Sequence, residues 1–156
     1  SLVGSEMCIR DREMKDWRNE MQVLPIGKGK KLCDGDDIAV LSIGPIGNEV
    51  IKAIEMVKEE GVSIAHYDMI YLKPLDEELL HEIGQKYNRI ITVENGVIKG
   101  GFGSAVLEFM ADNGYTPHVK RIGVPDAFIE HGSIPELYQL CGMDAESIAK
   151  QLKKEN

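Results

Sequence analysis

Apolar residues follow two different spacings along this chain. Short continuous apolar runs occupy 38–42, 62–67, 89–93 and 118–124, and turn residues bound each run. Runs of this kind are typical of strands buried on both faces of a sheet. Between and after them, apolar residues recur at helical spacing in the ranges 47–60, 76–86, 104–112, 135–140 and 145–153. The pattern therefore predicts four alternations of strand and helix.

Residues with turn and capping chemistry mark several ends of these segments. Gly61 and the pair Asn113-Gly114 follow helical patterns, where a left-handed residue commonly ends a helix. Ser133 and Glu136 have the spacing of a capping box, and Asp144 precedes the last helical pattern. These local signals support the predicted boundaries.

The alternation predicts an α/β fold with a mostly parallel sheet of four strands and helices on both faces. Residues 28–33 form a possible antiparallel edge strand, joined to the first parallel strand by a hairpin turn at Asp34-Gly35-Asp36-Asp37. That acidic turn could also suggest a metal site, but Asp and Gly are the residues that turns favour. We interpret it as a turn.

Composition narrows the classes of function. The 156 residues carry a formal net charge of −8 with a pI near 5.0, which opposes binding to nucleic acid or to anionic lipid. No apolar run approaches the roughly 18 residues of a membrane helix. Three widely spaced cysteines provide neither a disulfide framework nor a Cys-x-x-Cys metal site. We expect a cytoplasmic protein with reduced thiols and no metal site.

The strongest candidate for a binding loop lies between the third strand and its helix. Gly100, Gly101 and Gly103 would let the backbone approach an anion, and a helix beginning near Ser104 would point amide groups at it. The loop lacks the third glycine of the dinucleotide fingerprint, where Val106 stands. Two interpretations stay open: an anion-facing loop, or a packing turn that faces another domain.

Other polar residues lie near the same predicted edge. Glu94 ends the third strand, where ligands of open α/β sheets gather, although its carboxylate could equally cap the following loop. Glu130 and His131 are adjacent in a loop and form a possible acid/base pair, with a backbone hydrogen bond to His131 as the alternative. The other histidines are interpreted as structural or solvated: His66, His81 and His118.

Five strings, in this order, carry a resemblance to a known family: "LPIGKGK", "YLKPLDEELL", "VENGVIKGGFGSAVLEF", "IGVPDAFIEHGS" and "CGMDAESIAK". Together they resemble the C-terminal, transketolase-like domain of the 1-deoxy-D-xylulose-5-phosphate synthase family, which are thiamine-diphosphate enzymes. The resemblance runs from about residue 24 to residue 152. It implies a single domain over 24–154, after the end of an interdomain connector at 14–23 and a non-native remnant at 1–13.

The resemblance implies a transferase reaction in isoprenoid precursor synthesis. Pyruvate and D-glyceraldehyde 3-phosphate give 1-deoxy-D-xylulose 5-phosphate and CO2, with thiamine diphosphate and Mg²⁺ as cofactors. The motifs that bind these cofactors lie in the two preceding domains of the family and are absent here, so no catalytic or cofactor-binding residue is assigned. The chain would then serve homodimer contact and domain support, and alone would be inactive.

Two alternatives remain beside this expectation. One is a stand-alone phosphate- or nucleotide-binding α/β module that uses the glycine loop. The other is the C-terminal domain of a different transketolase-like thiamine enzyme subunit. In each case we expect the residues facing other domains or an anion to be Glu94, Gly100, Gly101, Gly103, Ser104, Glu130 and His131.

Overall fold

A computed structural model describes residues 23–153, and the predicted remnant at 1–13 and most of the connector at 14–23 lie outside them. Within residues 23–153, five strands form one sheet in the order β1-β3-β2-β4-β5. The strands are β1 (Lys30–Cys33), β2 (Ile38–Ile43), β3 (Ile64–Asp68), β4 (Arg89–Val97) and β5 (His118–Val124). The four strands β3, β2, β4 and β5 are parallel, and β1 is antiparallel at the edge. The predicted mixed sheet is confirmed.

Helices cover both faces of the sheet, as predicted. They are α1 (Gly47–Val57), α2 (Glu77–Lys86), α3 (Phe102–Asp112), α4 (Ile134–Leu140) and α5 (Ala145–Leu152), with a 3₁₀ turn at Lys58–Glu60 after α1. On one face α1 and α5 pack over Ile38 and Val40, and on the other α2 and α3 pack over Ala39 and Leu41. Successive residues of β2 thus point into opposite cores, because side chains alternate along a strand.

The edge strand β1 pairs with β3, and the expected hairpin with β2 is wrong. Lys30 lies opposite Asp68, so β1 runs down the outer side of β3. The link at 34–37 then crosses the amino end of β3 to reach β2. Gly35 lies so close to β3 there that a Cβ atom on it would meet the carbonyl carbon of Ile64 at 2.1 Å. The link therefore packs directly against the backbone of β3, which a hairpin turn between β1 and β2 would not do.

Two boundaries near the glycine loop differ from prediction. Strand β4 continues to Val97, which pairs with Val124 of β5 after an irregularity beyond Val93. Helix α3 begins at Phe102 rather than Ser104, because the first amide groups of the helix find an acceptor within the chain. The loop is consequently shorter than the sequence suggested.

Helix ends agree with the local capping signals. Asp144 accepts a hydrogen bond from the Ser147 amide at 3.2 Å, and Ser133 with Glu136 forms the predicted capping box. Gly61 ends the 3₁₀ turn in the left-handed conformation, with φ of 75°. Within residues 23–153, no helix is both long enough and apolar enough to cross a membrane.

Candidate functional site at the carboxyl edge

The predicted site residues divide between two neighbouring loops at the carboxyl edge of the parallel strands. Glu94 lies on β4 opposite Ile43 of β2, near the carboxyl ends of both strands, and is only 4% exposed. The loop from β4 to α3 carries Gly100 and Gly101, and α3 itself begins with Phe102 and Gly103. This edge is where open α/β sheets place their ligands.

Glu94 caps the start of α3 with both carboxylate oxygens. Its Oε2 accepts a hydrogen bond from the Phe102 amide at 2.8 Å, and its Oε1 accepts one from the Gly103 amide at 2.8 Å. These amides belong to the four that every helix leaves without an internal partner at its start. A buried carboxylate gains from them and from the positive end of the helix dipole. An internal anion therefore occupies the position that a ligand anion would take.

The glycines of the loop are explained by the space that Glu94 requires. A Cβ atom on Gly101 would lie 2.1 Å from Glu94 Oε2 and 2.5 Å from the Val97 carbonyl oxygen. A Cβ atom on Gly103 would lie 2.5 Å from Thr92 Oγ1. Contacts this short exclude any side chain. The two residues are glycines because the chain's own atoms press against them.

Ser104 and Arg121 hold the outer part of the loop. Arg121 Nη1 donates to Ser104 Oγ and to the Ile98 carbonyl oxygen, both at 2.9 Å. The Gly100 amide donates to Ser104 Oγ at 3.0 Å. Beneath them the buried Thr92 Oγ1 has no hydrogen-bond partner among the described residues. The loop is thus fixed by internal bonds along its length.

Glu130 and His131 lie away from this network. Both are exposed in the loop that follows β5, and neither makes a hydrogen bond or ion pair within residues 23–153. Within residues 23–153, no hydrogen bond joins Glu130 to His131, and none joins His131 to a backbone group. Nearby, hydrogen bonds from the Ser133 hydroxyl and amide lower the pKa of Glu136 below its ordinary value. These hydrogen bonds form the capping box at the start of α4.

The acidic link at 34–37 distributes its carboxylates among separate partners. Asp34 pairs with Lys31 at 2.6 Å, and Asp36 pairs with Lys86 at 2.7 Å. Asp37 accepts a hydrogen bond from a backbone amide at 2.9 Å. The Lys31 ammonium holds the pKa of Asp34 below its usual value. The three carboxylates therefore have separate partners at the amino edge of the sheet and do not converge on one site.

Sequence reasoning missed two features. One is a cleft of about 400 Å³ beside the loop, whose polar lining residues include Lys73, Glu77 and Glu108. The other is a buried pair in which Ser42 Oγ lies 2.8 Å from His66 Nε2, with both residues about 1% exposed. Burial lowers the pKa of His66 to about 4. These residues are 24 apart, and only the pairing of β2 with β3 brings them together, so no local motif signals them.

Thiamine diphosphate and Mg²⁺, the groups that the resemblance implies, do not fit the described residues. Within 23–153, no group of three or more His, Cys, Asp or Glu side chains is placed to hold a metal ion. The Phe102 and Gly103 amides, which could otherwise face a diphosphate, already bind Glu94. No reaction step is therefore assigned to this part of the chain.

Comparison with known proteins places the chain in a family. A model described as the transketolase C-terminal domain matches residues 27–148. The chain is 99% identical over 144 residues to the 1-deoxy-D-xylulose-5-phosphate synthase of Parabacteroides distasonis, and 61% identical over 141 residues to that of Bacteroides thetaiotaomicron. These alignments cover 92% and 90% of this chain but 23% and 22% of the relatives. The chain thus spans about a quarter of the length of these curated relatives.

Solved structures agree with this assignment. A structure titled as a split gene transketolase, inactive beta4 tetramer, has a TM-score of 0.76 and 30% identity, over 83% of this chain and 42% of the other. A transketolase from Campylobacter jejuni shares the fold, with a TM-score of 0.60 and 13% identity, over 81% of this chain and 18% of the other. The predicted resemblance to the C-terminal domain of the synthase family is confirmed, and the chain belongs to the transketolase C-terminal domain family.

Proposed function

We propose that this chain works as the C-terminal domain of a 1-deoxy-D-xylulose-5-phosphate synthase. The observation that carries the proposal is the 99% identity over 144 residues to the Parabacteroides distasonis enzyme. The whole enzyme would convert pyruvate and D-glyceraldehyde 3-phosphate into 1-deoxy-D-xylulose 5-phosphate and CO2, for isoprenoid precursor synthesis. Thiamine diphosphate, held with Mg²⁺ by the upstream domains, would supply the carbanion chemistry.

The role of this chain in that enzyme is structural support at the carboxyl edge of its sheet. Glu94 and Gly101 keep the β4–α3 loop in one conformation, and Ser104 with Arg121 fixes its outer part. A rigid loop of this kind presents a defined surface to a neighbouring domain. Gly100, Glu130 and His131 provide exposed positions on that edge, while the Glu94 side chain acts from beneath it.

The proposal includes a homodimer in the cytoplasm, both carried over from the family resemblance. The related split gene transketolase is titled a β4 tetramer, which supports self-association by chains that contain this domain. The same title names that assembly inactive. It therefore also supports the expectation that this chain alone turns over no substrate.

An activity assay tests the proposal directly. Three proteins are compared with pyruvate, D-glyceraldehyde 3-phosphate, thiamine diphosphate and Mg²⁺: the full-length Parabacteroides distasonis synthase, its form truncated before the region equivalent to 24–154, and this chain. We expect product from the full-length enzyme and none from the other two. Product from this chain alone, or undiminished turnover by the truncated enzyme, would contradict the supporting role. Absence of product from the full-length enzyme would contradict the proposed activity.

A second candidate is the C-terminal domain of another transketolase-like subunit. The 30% identity to the split gene transketolase across 83% of this chain favours it. The two candidates differ in the substrates of the whole enzyme, and only the synthase is expected to join pyruvate to D-glyceraldehyde 3-phosphate. Absence of that product from the full-length enzyme in the assay above would favour the second candidate.

A further inference from the structure

The segment from Pro125 to Leu140 leaves most of its apolar side chains uncovered. Phe128 is fully exposed in the loop after β5, and Leu140 at the end of α4 is 69% exposed. In the part of the chain that the structure describes, helix α4 contains no buried residue, whereas each of the other α-helices contributes at least two to a core. Exposed apolar residues that form a contiguous patch mark an interaction surface, whereas apolar residues scattered singly do not.

The segment is nevertheless held in a defined place. Asp126 pairs with Lys99 of the β4–α3 loop at 3.1 Å, and the Tyr138 hydroxyl accepts a hydrogen bond from Asn95 Nδ2 at 2.8 Å. The Ile98 amide donates to the Val124 carbonyl oxygen at 2.9 Å, directly before the segment. Phe128 is thus presented on a loop anchored at both ends, beside the carboxyl edge of β4 and β5.

The path of β1 indicates what covers this surface. Because β1 is antiparallel to β3, with Lys30 opposite Asp68, the chain enters the sheet at the carboxyl edge, the same edge that carries Phe128. The relatives are about four times as long as this chain, and the family model describes a C-terminal domain, so their remaining length lies upstream. The upstream polypeptide therefore arrives on the side of the sheet where the apolar segment is exposed.

The dimensions allow an upstream domain to reach from β1 to the Phe128 loop. Strands lie about 4.8 Å apart, so β1 and β5 at opposite edges are separated by roughly 19 Å. A domain of about 100 residues has a radius of gyration near 13 Å, and so spans more than this distance. One upstream domain seated on the carboxyl edge would cover the whole edge.

We propose that Phe128 and the exposed side of α4 form the docking surface for the upstream part of the same polypeptide, with Phe128 as the anchor. This inference rests on the proposed function, because it requires the chain to be part of a longer synthase. A large aromatic side chain at the centre of an interface commonly carries much of its binding energy. The surrounding residues, including Glu130 and His131, would form the polar rim.

Hydrogen exchange measured by mass spectrometry tests the proposal. We compare peptides covering 125–140 in this chain and the equivalent peptides in the full-length Parabacteroides distasonis synthase, 99% identical to it over 144 residues. Docking predicts slower exchange in the full-length enzyme by about tenfold or more. Equal exchange in the two proteins would overturn it. Protection in this chain alone that grows with protein concentration would identify a second copy as the occupant, and would also overturn it.

Two variants of the full-length enzyme assign the anchor. Phe128→Ser should remove most of the added protection at 125–140, while Met56→Ser, at an exposed apolar site 54% accessible on α1, should leave it unchanged. Equal effects of the two variants would contradict the anchoring role. The activity assay of the unmodified full-length enzyme separates the docking proposal from the proposed function. An active enzyme whose 125–140 segment is unprotected would contradict docking alone. An inactive enzyme whose segment is protected would contradict the proposed function alone.

Discussion

At the scale of single residues, Glu94 decides what the glycine-rich loop can do. A buried carboxylate is costly unless its oxygens are hydrogen-bonded, and Glu94 meets this requirement with two amides at the start of α3. The same bonds remove those amides from the surface. Glycine-rich sequence before a helix is thus insufficient evidence for an anion site, because an internal side chain can take the anion's place.

Replacing Glu94 with Gln should destabilise the chain by about 2 kcal/mol, since an amide loses the charge and offers only one acceptor oxygen to the two amide donors. Urea unfolding of the purified variant measures the change. Glu108→Gln is the matched control: Glu108 lies exposed on α3, the helix that Glu94 caps, and we expect a change within about 0.5 kcal/mol. Equal effects of the two substitutions would show that Glu94 is not a cap.

His66 makes stability depend on pH. Its pKa is about 4 in the folded chain, because burial disfavours the charged imidazole, against 6.5 in a solvated histidine. Because the pKa is lower in the folded chain than in the unfolded chain, the contribution of neutral His66 to stability is complete above pH 6.5. It is lost as the pH falls towards 4. Between pH 7 and pH 4, the free energy of unfolding should fall by about 3 kcal/mol more for the unchanged chain than for the His66→Gln variant. Urea unfolding at several pH values measures this difference. An equal fall in the free energy of unfolding for the two proteins would contradict the lowered pKa of His66.

At the scale of elements, the crossing between β1 and β2 depends on the absence of a side chain at Gly35. Gly35→Ala should destabilise the chain by more than about 2 kcal/mol, because the new methyl group would overlap the backbone of Ile64. Gly132→Ala is the control, since its methyl group would meet only side-chain atoms, the end of Leu137 at 3.3 Å and Glu136 Oε2 at 3.7 Å, and the change should cost less than about 1 kcal/mol. Thermal unfolding of the two variants compares them, and a mild Gly35→Ala would argue against the close crossing.

The sequence predicted those elements whose signals are local. The strand runs and helical spacings, the capping box at Ser133 and the cap at Asp144 all depend on neighbouring residues, and all are present. The partner of β1 is not a local property. Turn residues at 34–37 fit a hairpin as well as a crossing, and the choice depends on the close packing of the link against β3.

The sequence predicted where the candidate site lies, but it did not predict which groups contact each other there. Parallel strands bring their carboxyl ends to one edge, so the placement of Glu94 beside the glycine loop followed from the predicted topology. The acceptor for the Phe102 and Gly103 amides is Glu94, which lies eight and nine residues earlier in the chain. Its contact with them depends on the orientation of its side chain in the folded structure. The pairing of Ser42 with His66 likewise requires the observed strand order, which a single sequence does not contain.

At the scale of the whole molecule, residues 23–153 form an α/β layer structure, and no helix or strand of this part of the chain covers the carboxyl edge of its sheet. Its cores lie on both faces of the sheet, and its loops at the carboxyl edge are fixed by internal bonds. Exposed apolar residues at that edge include Leu72, Val97 and Phe128. Under the proposed function, such a domain would hold neighbouring domains of the same enzyme in place.

Calorimetric titration of the purified chain tests the central claim, that the glycine loop is closed by Glu94 and the cofactor site lies elsewhere in the enzyme. The ligands are thiamine diphosphate with Mg²⁺ and, separately, inorganic phosphate. We expect no saturable heat with either ligand, for the chain and for Glu108→Gln alike. Saturable binding of thiamine diphosphate would contradict the supporting role, and saturable binding of phosphate would contradict the closed loop.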